Sequence, residues 1–274
     1  MAGTPYESLE ISKDGAIATV TLIGPGKGNA MGPAAWNEFA PAFQALSDDD
    51  DLRVVLVRGQ GKTFSYGLDL MAMAGELAPL LSGPGAAERA KLFEQIAKMQ
   101  RAFDAVARCK KPVIAAVHGW CIGAGLDLIA ACDVRLSTKA ARFSLREAKV
   151  GMVADVGSLQ RLPPIIGEGA TRELAFTAGD IGGERALRMQ LVSEIYDDED
   201  ALFAAAQAMA EAIAANPPLV MQGVKHIMNA RLARDMDAGL REVATWNSAF
   251  LPSEDLMEAI TAFAEKRAPR FKGR

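Results

Sequence analysis

Apolar and polar residues alternate over residues 8–13 and again over 16–23, on either side of Asp14-Gly15. Period-two alternation around an Asp-Gly pair predicts a β-hairpin at the start of the chain. Past the loop 24–29, Pro33 stands at a helix opening, and Trp36, Phe39, Phe43 and Leu46 fall on one helical face. The acidic run 48–51 reads as a solvated turn, and the unbroken apolar residues 54–57 as a strand buried on both sides. The chain thus opens as strand, strand, helix, strand.

Further along, the loop 82–85 precedes a long helix over 86–108, whose Phe93, Ile96, Met99, Phe103 and Val106 form a core-facing stripe. Residues 112–117 predict a buried strand, 119–125 a glycine-rich turn, and 126–132 an apolar helix. A second strand-like run leads to residue 147, and residues 151–157 form a weakly patterned loop. Helices are expected through Phe176 and over 182–189, and a last strand over 191–196. From residue 200 the pattern is helical throughout: 201–215, 217–230, 235–250, and a final helix capped by Ser253. The class is α/β, with one region spanning 1–199 and a helical one spanning 200–274.

Composition narrows the possibilities. A chain of 274 residues, 50% of them hydrophobic, can bury one large core with a smaller appendage. A net charge of -4, with no basic stripe beyond the tail 266–274, argues against nucleic acid as a partner. No apolar run reaches the length of a membrane span, and the first ten residues lack a basic-then-apolar signal, so no membrane partner is expected. Cys109, Cys121 and Cys132 have no CxxC spacing and leave one thiol over in any pairing, which predicts a reducing, cytoplasmic setting. His118 and His226 lie too far apart to suggest a metal site, and neither GxSxG nor HExxH occurs.

The chemistry concentrates between residues 111 and 157. Where the glycine turn enters its helix, backbone N–H groups lack internal acceptors and face the positive end of the helix dipole, which makes an anion site. A similar glycine-to-helix passage occurs earlier, at Gly67-Leu68-Asp69-Leu70. Three carboxylates, Asp127, Glu147 and Asp155, follow the later turn with mostly apolar neighbours. Each has an ordinary reading when taken singly: Asp127 interacts with its own helix start, Glu147 pairs with Arg146 or Lys149, and Asp155 closes an Asx turn. Their joint placement beside an anion site points instead to proton transfer next to a carbonyl. A dinucleotide fold also fits a strand, Gly123-Ala124-Gly125 and an acid twenty residues on, but Leu128 fills the third small position.

The segments KTFSYGLDL (62–70) and KPVIAAVHGWCIGAGLDLIAACDVR (111–135), in this order, resemble the crotonase, or enoyl-CoA hydratase/isomerase, superfamily over nearly the whole chain. Within it the chain is most similar to the Δ3,5-Δ2,4-dienoyl-CoA isomerase branch, through Asp127, Glu147 in its ARFSLRE context, the run ADVG at 154–157 and ATWN at 244–247. The resemblance implies a crotonase-like spiral of ββα units, with the region 1–199 binding acyl-CoA thioester. It implies that the helices of 200–274 build a homotrimer, or a hexamer as a dimer of trimers, and cover the active site. The backbone N–H groups of Leu68 and Ala124 are then the oxyanion hole, and alanine serves at 124 provided its backbone conformation is an ordinary one. Gly67, Gly123 and Gly125 let substrate approach, and Lys62 is a candidate phosphate contact. Asp127, Glu147 and Asp155 become the catalytic set of an isomerase in fatty-acid β-oxidation, with coenzyme A as part of the substrate and no separate cofactor. The alternatives are an enoyl-CoA hydratase and a crotonase-fold protein that binds acyl-CoA without turnover.

Overall fold

The computed structural model describes residues 6–83 and 85–273. The start of the N-terminal stretch, Pro84 of the expected loop and Arg274 of the basic tail lie outside the described residues. The hairpin forms as expected: β1 (Leu9–Asp14) pairs antiparallel with β2 (Ile17–Leu22) across Gly15-Ala16. After α1 (Pro33–Asp48) come β3 (Val54–Gly59), α2 (Leu70–Ser82), α3 (Ala86–Arg108) and β4 (Val113–Val117). The expected glycine turn contains a short strand, β5 (Trp120–Ile122), before α4 (Ala124–Ala131), β6 (Val134–Thr138) and β7 (Arg142–Ser144). A single 3-10 turn, Glu147–Val150, leads to the short helices α5 (Ser158–Arg161) and α6 (Pro163–Ile166) and then to α7 (Glu168–Thr177). β8 (Asp180–Gly182), α8 (Gly183–Arg188) and β9 (Glu194–Tyr196) complete the mixed region. Four helices follow: α9 (Glu199–Ala214), α10 (Pro218–Ala230), α11 (Ala233–Phe250) and α12 (Glu254–Ala264).

The main sheet has the order β1-β2-β3-β4-β6-β9, parallel from β2 onward, and β5, β7 and β8 form a second sheet beside it. Strand residues point alternately to opposite faces, and both faces of this sheet are covered. Val55 and Val57 of β3 and Ala115 and Val117 of β4 face the core built with α1, α3 and α4. Their neighbours Val54, Leu56, Ile114 and Ala116 face Leu202, Ala206 and Ala210 of α9. The first helix of the region after residue 200 therefore packs directly on the sheet.

Two differences from the sequence reading have local causes. β5, β7 and β8 have only three residues each, too short for their alternation to stand out from turn-like surroundings. The strand expected over 191–196 shrinks to β9, because Leu191 and Val192 are buried beside α8 as core rather than sheet.

Candidate active site

Two chain reversals meet at the centre of the molecule. Ser65 joins them: its N–H donates to the Trp120 carbonyl (2.9 Å), and its own carbonyl accepts from Ile122 N–H (3.0 Å). The Ser65 hydroxyl donates to the Asn29 carbonyl (2.9 Å) and accepts from Gly67 N–H (3.0 Å). Gly67 thereby lies flat against the later turn. A Cβ there would stand 2.5 Å from the Ile122 carbonyl oxygen and 3.1 Å from the Ala124 nitrogen, and its φ of 80° is left-handed besides. Gly125 lies behind the wall, packed on Ser65.

The bridge between Met31 and Leu68 uses the Gly67 carbonyl and the Asp69 N–H, so the Leu68 N–H is left over. Ala124 is the first residue of α4, where a helix leaves its N–H groups without internal acceptors. Among the described residues, neither the Leu68 nor the Ala124 N–H has a hydrogen-bond acceptor. Ala124 is not among the residues with positive φ, so its methyl group introduces no backbone strain.

Leu68 and Ala124 both line a cavity of about 620 Å³, whose wall also includes Gly123, Glu147 and Asp155. Trp36, Met99, Ile122, Met152 and Val156 supply apolar surface, and Phe263 of α12 stands at its edge. Lys62, the expected phosphate contact, is exposed and outside this wall. Lys27 and Arg146 are the basic residues that do line it, and charge alone did not single them out of the sequence.

Each of the three acids takes a partner other than its local one. Asp127 is fully buried one layer behind the cavity, and its Oδ1 accepts from Ser158 N–H of α5 (2.6 Å), not from its own helix. Glu147 ignores its neighbours, since Arg146 pairs with Asp180 and lies over the Trp120 ring, 5.7 Å from its centroid. The Glu147 carboxyl instead meets that of Asp127, and among the described residues no donor reaches Asp127 Oδ2 or Glu147 Oε2. Gly123, with φ 51°, leaves room for this: a Cβ there would lie 3.2 Å from Glu147 Oε1. Asp155 reaches away from the pair, and its Oδ2 accepts from the Asn247 side-chain amide (2.7 Å).

Burial raises all three carboxyls. Glu147 is pushed well above the usual range by desolvation and then by the negative charge of Asp127. Asp127 rises to about 6 through burial, opposed by the Ser158 hydrogen bonds and the nearby Arg161 guanidinium. Asp155 rises to about 7 through burial, opposed by Asn247 and assisted by the charge of Asp127. The upward shifts of Asp127 and Glu147 favour the uptake of a proton by this pair, and burial also holds Asp155 well above the usual carboxylate range.

Helix α3 fixes the loop that carries Asp155. Gln100 donates its side-chain amide to the Asp155 carbonyl (2.7 Å) and to the Leu240 carbonyl of α11 (2.8 Å). Arg161, paired with the part-buried Asp104 of α3, donates to the Val156 carbonyl (3.1 Å). Gln100 escaped the sequence reading, and Arg161 and Asn247 entered it only inside runs that resemble a family branch, with no role, because a single polar residue on a helix does not reveal that it faces inward. Among the described residues, no group of three or more His, Cys, Asp or Glu is arranged to hold a metal ion, and no helix is long and apolar enough to cross a membrane.

Residues 12–274 match the family model described as enoyl-CoA hydratase/isomerase. A Dictyostelium discoideum protein named mitochondrial Δ(3,5)-Δ(2,4)-dienoyl-CoA isomerase is 40% identical, over 98% of this chain and 92% of its own. An Arabidopsis thaliana protein named peroxisomal Δ(3,5)-Δ(2,4)-dienoyl-CoA isomerase is 38% identical, over 97% of both chains. The crystal structure of an enoyl-CoA hydratase/isomerase from Pseudoalteromonas atlantica superposes with a TM-score of 0.84 at 27% identity, covering 97% of this chain and 100% of that one. The organelles in the relatives' names overturn the cytoplasmic expectation. It rested on free cysteines, which separate oxidising from reducing surroundings but not one reducing compartment from another. With its ββα spiral, its paired glycine turns and these relatives, the chain belongs to the enoyl-CoA hydratase/isomerase family.

Proposed function

We propose that this protein is a Δ3,5-Δ2,4-dienoyl-CoA isomerase of β-oxidation. The observation that carries the reading is the third carboxyl. Asp155 lines the same cavity as Glu147 but turns away from the Asp127–Glu147 contact, so acid-base groups stand at two places along one apolar trough. A hydration site needs its acids around one held water, whereas moving two double bonds needs one group at each end of a conjugated tail.

The thioester oxygen accepts from the N–H groups of Leu68 and Ala124, which stabilise the negative charge that develops on it. The Glu147 carboxyl comes up against Gly123, next to the Ala124 N–H, which favours it for carbon 2, next to the thioester. It removes the carbon 2 proton, and the electron pair spreads over the thioester oxygen and carbons 4 and 6. Asp155 returns a proton at carbon 6, giving the 2,4-diene. Glu147 ends protonated and Asp155 ionised, so one proton passes back before the next turnover. Asp127 accepts the proton that Glu147 must shed before the reaction, through the contact they share. Coenzyme A enters as part of the substrate, no further cofactor takes part, and Lys27 and Arg146 are the candidates for its phosphates.

Self-association into trimers or hexamers is part of the same reading. It is supported by the exposed apolar side chains Leu219, Ile227 and Met228 on α10 and Trp246 and Phe250 on α11.

Purified protein mixed with a 3,5-dienoyl-CoA is expected to generate conjugated 2,4-diene absorbance. Conversion of a 2-enoyl-CoA without diene formation would establish a hydratase instead, and binding without either change would establish a binder.

A further inference from the structure

The side-chain amide of Asn247, on α11 and almost fully buried, makes two contacts with the Asp155 loop. It donates to the Val153 carbonyl (2.8 Å) and to Asp155 Oδ2 (2.7 Å). A carbonyl oxygen can only accept, so the nitrogen of the amide is the atom that faces the loop, and its two N–H groups are both engaged. No other side chain among the described residues donates to this carboxyl. Oδ2 is therefore occupied as an acceptor, and when Asp155 is protonated its proton belongs on Oδ1, the oxygen left for a ligand in the cavity.

We propose that Asn247 is a positioning residue for proton delivery, which by holding one oxygen of Asp155 aims the proton on the other at the substrate. The proposal rests on the reading of Asp155 as the acid at carbon 6. Gln100 complements it by holding the backbone carbonyl of the same residue, so α11 orients the carboxyl and α3 fixes the chain beneath it. Asn247 also opposes the burial that raises Asp155, because its hydrogen bond favours the ionised form. The charged groups that bear on Asp155 are Asp127 on α4 and Glu147 on the 3-10 turn, with Lys27 and Arg146 on the same cavity wall. α3 and α11 present the neutral Gln100 and Asn247.

The test combines a pH profile with a direct titration. Asn247→Leu keeps the volume and removes the donor, while Asn247→Asp keeps the shape and sets a second carboxyl against the first. In both, the alkaline limb of kcat/KM for a 3,5-dienoyl-CoA is expected to move up by about one pH unit, more in the aspartate variant. kcat is expected to fall about tenfold or more, with KM changed less than about twofold. The carbon-13 carboxyl signal of Asp155, assigned by its loss in Asp155→Asn, should titrate higher in both variants by the same interval. If Asn247→Leu does not fold, the near-isosteric Asn247→Asp carries the test. Lower melting temperatures with an unmoved limb and an unmoved Asp155 titration would reduce Asn247 to packing and overturn the proposal. Wild-type protein that converts no diene would defeat the functional reading instead, and the carboxyl titration would still report on the Asn247–Asp155 link.

Discussion

Replacing Asp155 by asparagine removes a charge and almost no volume, and Asn247 can donate to the new amide oxygen as it does to the carboxylate. The unfolded chain ionises this aspartate near its ordinary value of 3.8, the native protein near 7. Below pH 3.8 both states keep the proton and the residue makes no difference to stability. Between 3.8 and 7 the unfolded chain releases its proton while the native one holds it, so stability falls as pH rises, and above 7 the deficit is complete. A gap of about 3 pH units at ~1.4 kcal/mol each gives an upper bound of about 4 kcal/mol. The carboxyl borders the cavity, so water there screens part of this, and about 2 kcal/mol is expected. Asp155→Asn should therefore melt about 5 °C above wild type at pH 8.5 and level with it at pH 4, at matched protein concentration. The same variant should convert no 3,5-dienoyl-CoA. A melting temperature at or below wild type at pH 8.5, or a gap equally wide at pH 4, would refute the argument that burial of an ionisable group destabilises the fold here.

Three further outcomes follow from the same geometry. Glu147→Gln is expected to abolish diene formation, whereas Asp127→Asn should leave a residue of activity, about 1% by the usual scale of acid-base assistance, because of these two acids Glu147 borders the cavity and Asp127 does not; single-turnover absorbance separates the two. Gly67→Ala should lower kcat by about 10²-fold or more, since its methyl group must push the Leu68 and Ala124 segments apart; steady-state kinetics alongside a melting curve distinguishes this from unfolding. The wild-type pH–rate profile should be a bell. Its acid limb reflects loss of a proton from the Asp127–Glu147 contact near pH 6, and its alkaline limb loss of the Asp155 proton near 7. A profile flat from pH 5 to 9 would remove these carboxyls from the rate-determining proton transfers.

What could be read from the chain depended on how local each signal was. The hairpin, the buried strand at 54–57 and the helix over 86–108 declare themselves through spacing within one element, and the structure reproduces them. The acids stood out because each sat among apolar neighbours beside a glycine turn. Their actual partners did not: Ser158 is 31 positions from Asp127, and Asn247 is 92 from Asp155. Tertiary folding sets such pairings, and no periodicity encodes them. Lys62 lies near Gly67 in sequence yet is exposed and outside the cavity wall, whereas Lys27 and Arg146 arrive there from separate loops.

Ser65 gives the site a history as well as a shape. The segments it joins, around residues 29, 65 and 120, are synthesised far apart, and the parallel strands β3 and β4 lie between them in the chain. Contacts of such long reach are slow to gain and form only after the intervening loops have been organised. A refolding chain should therefore regain its helical signal well before it regains turnover, and the last kinetic phase should be the one in which the anion-binding amides are brought side by side.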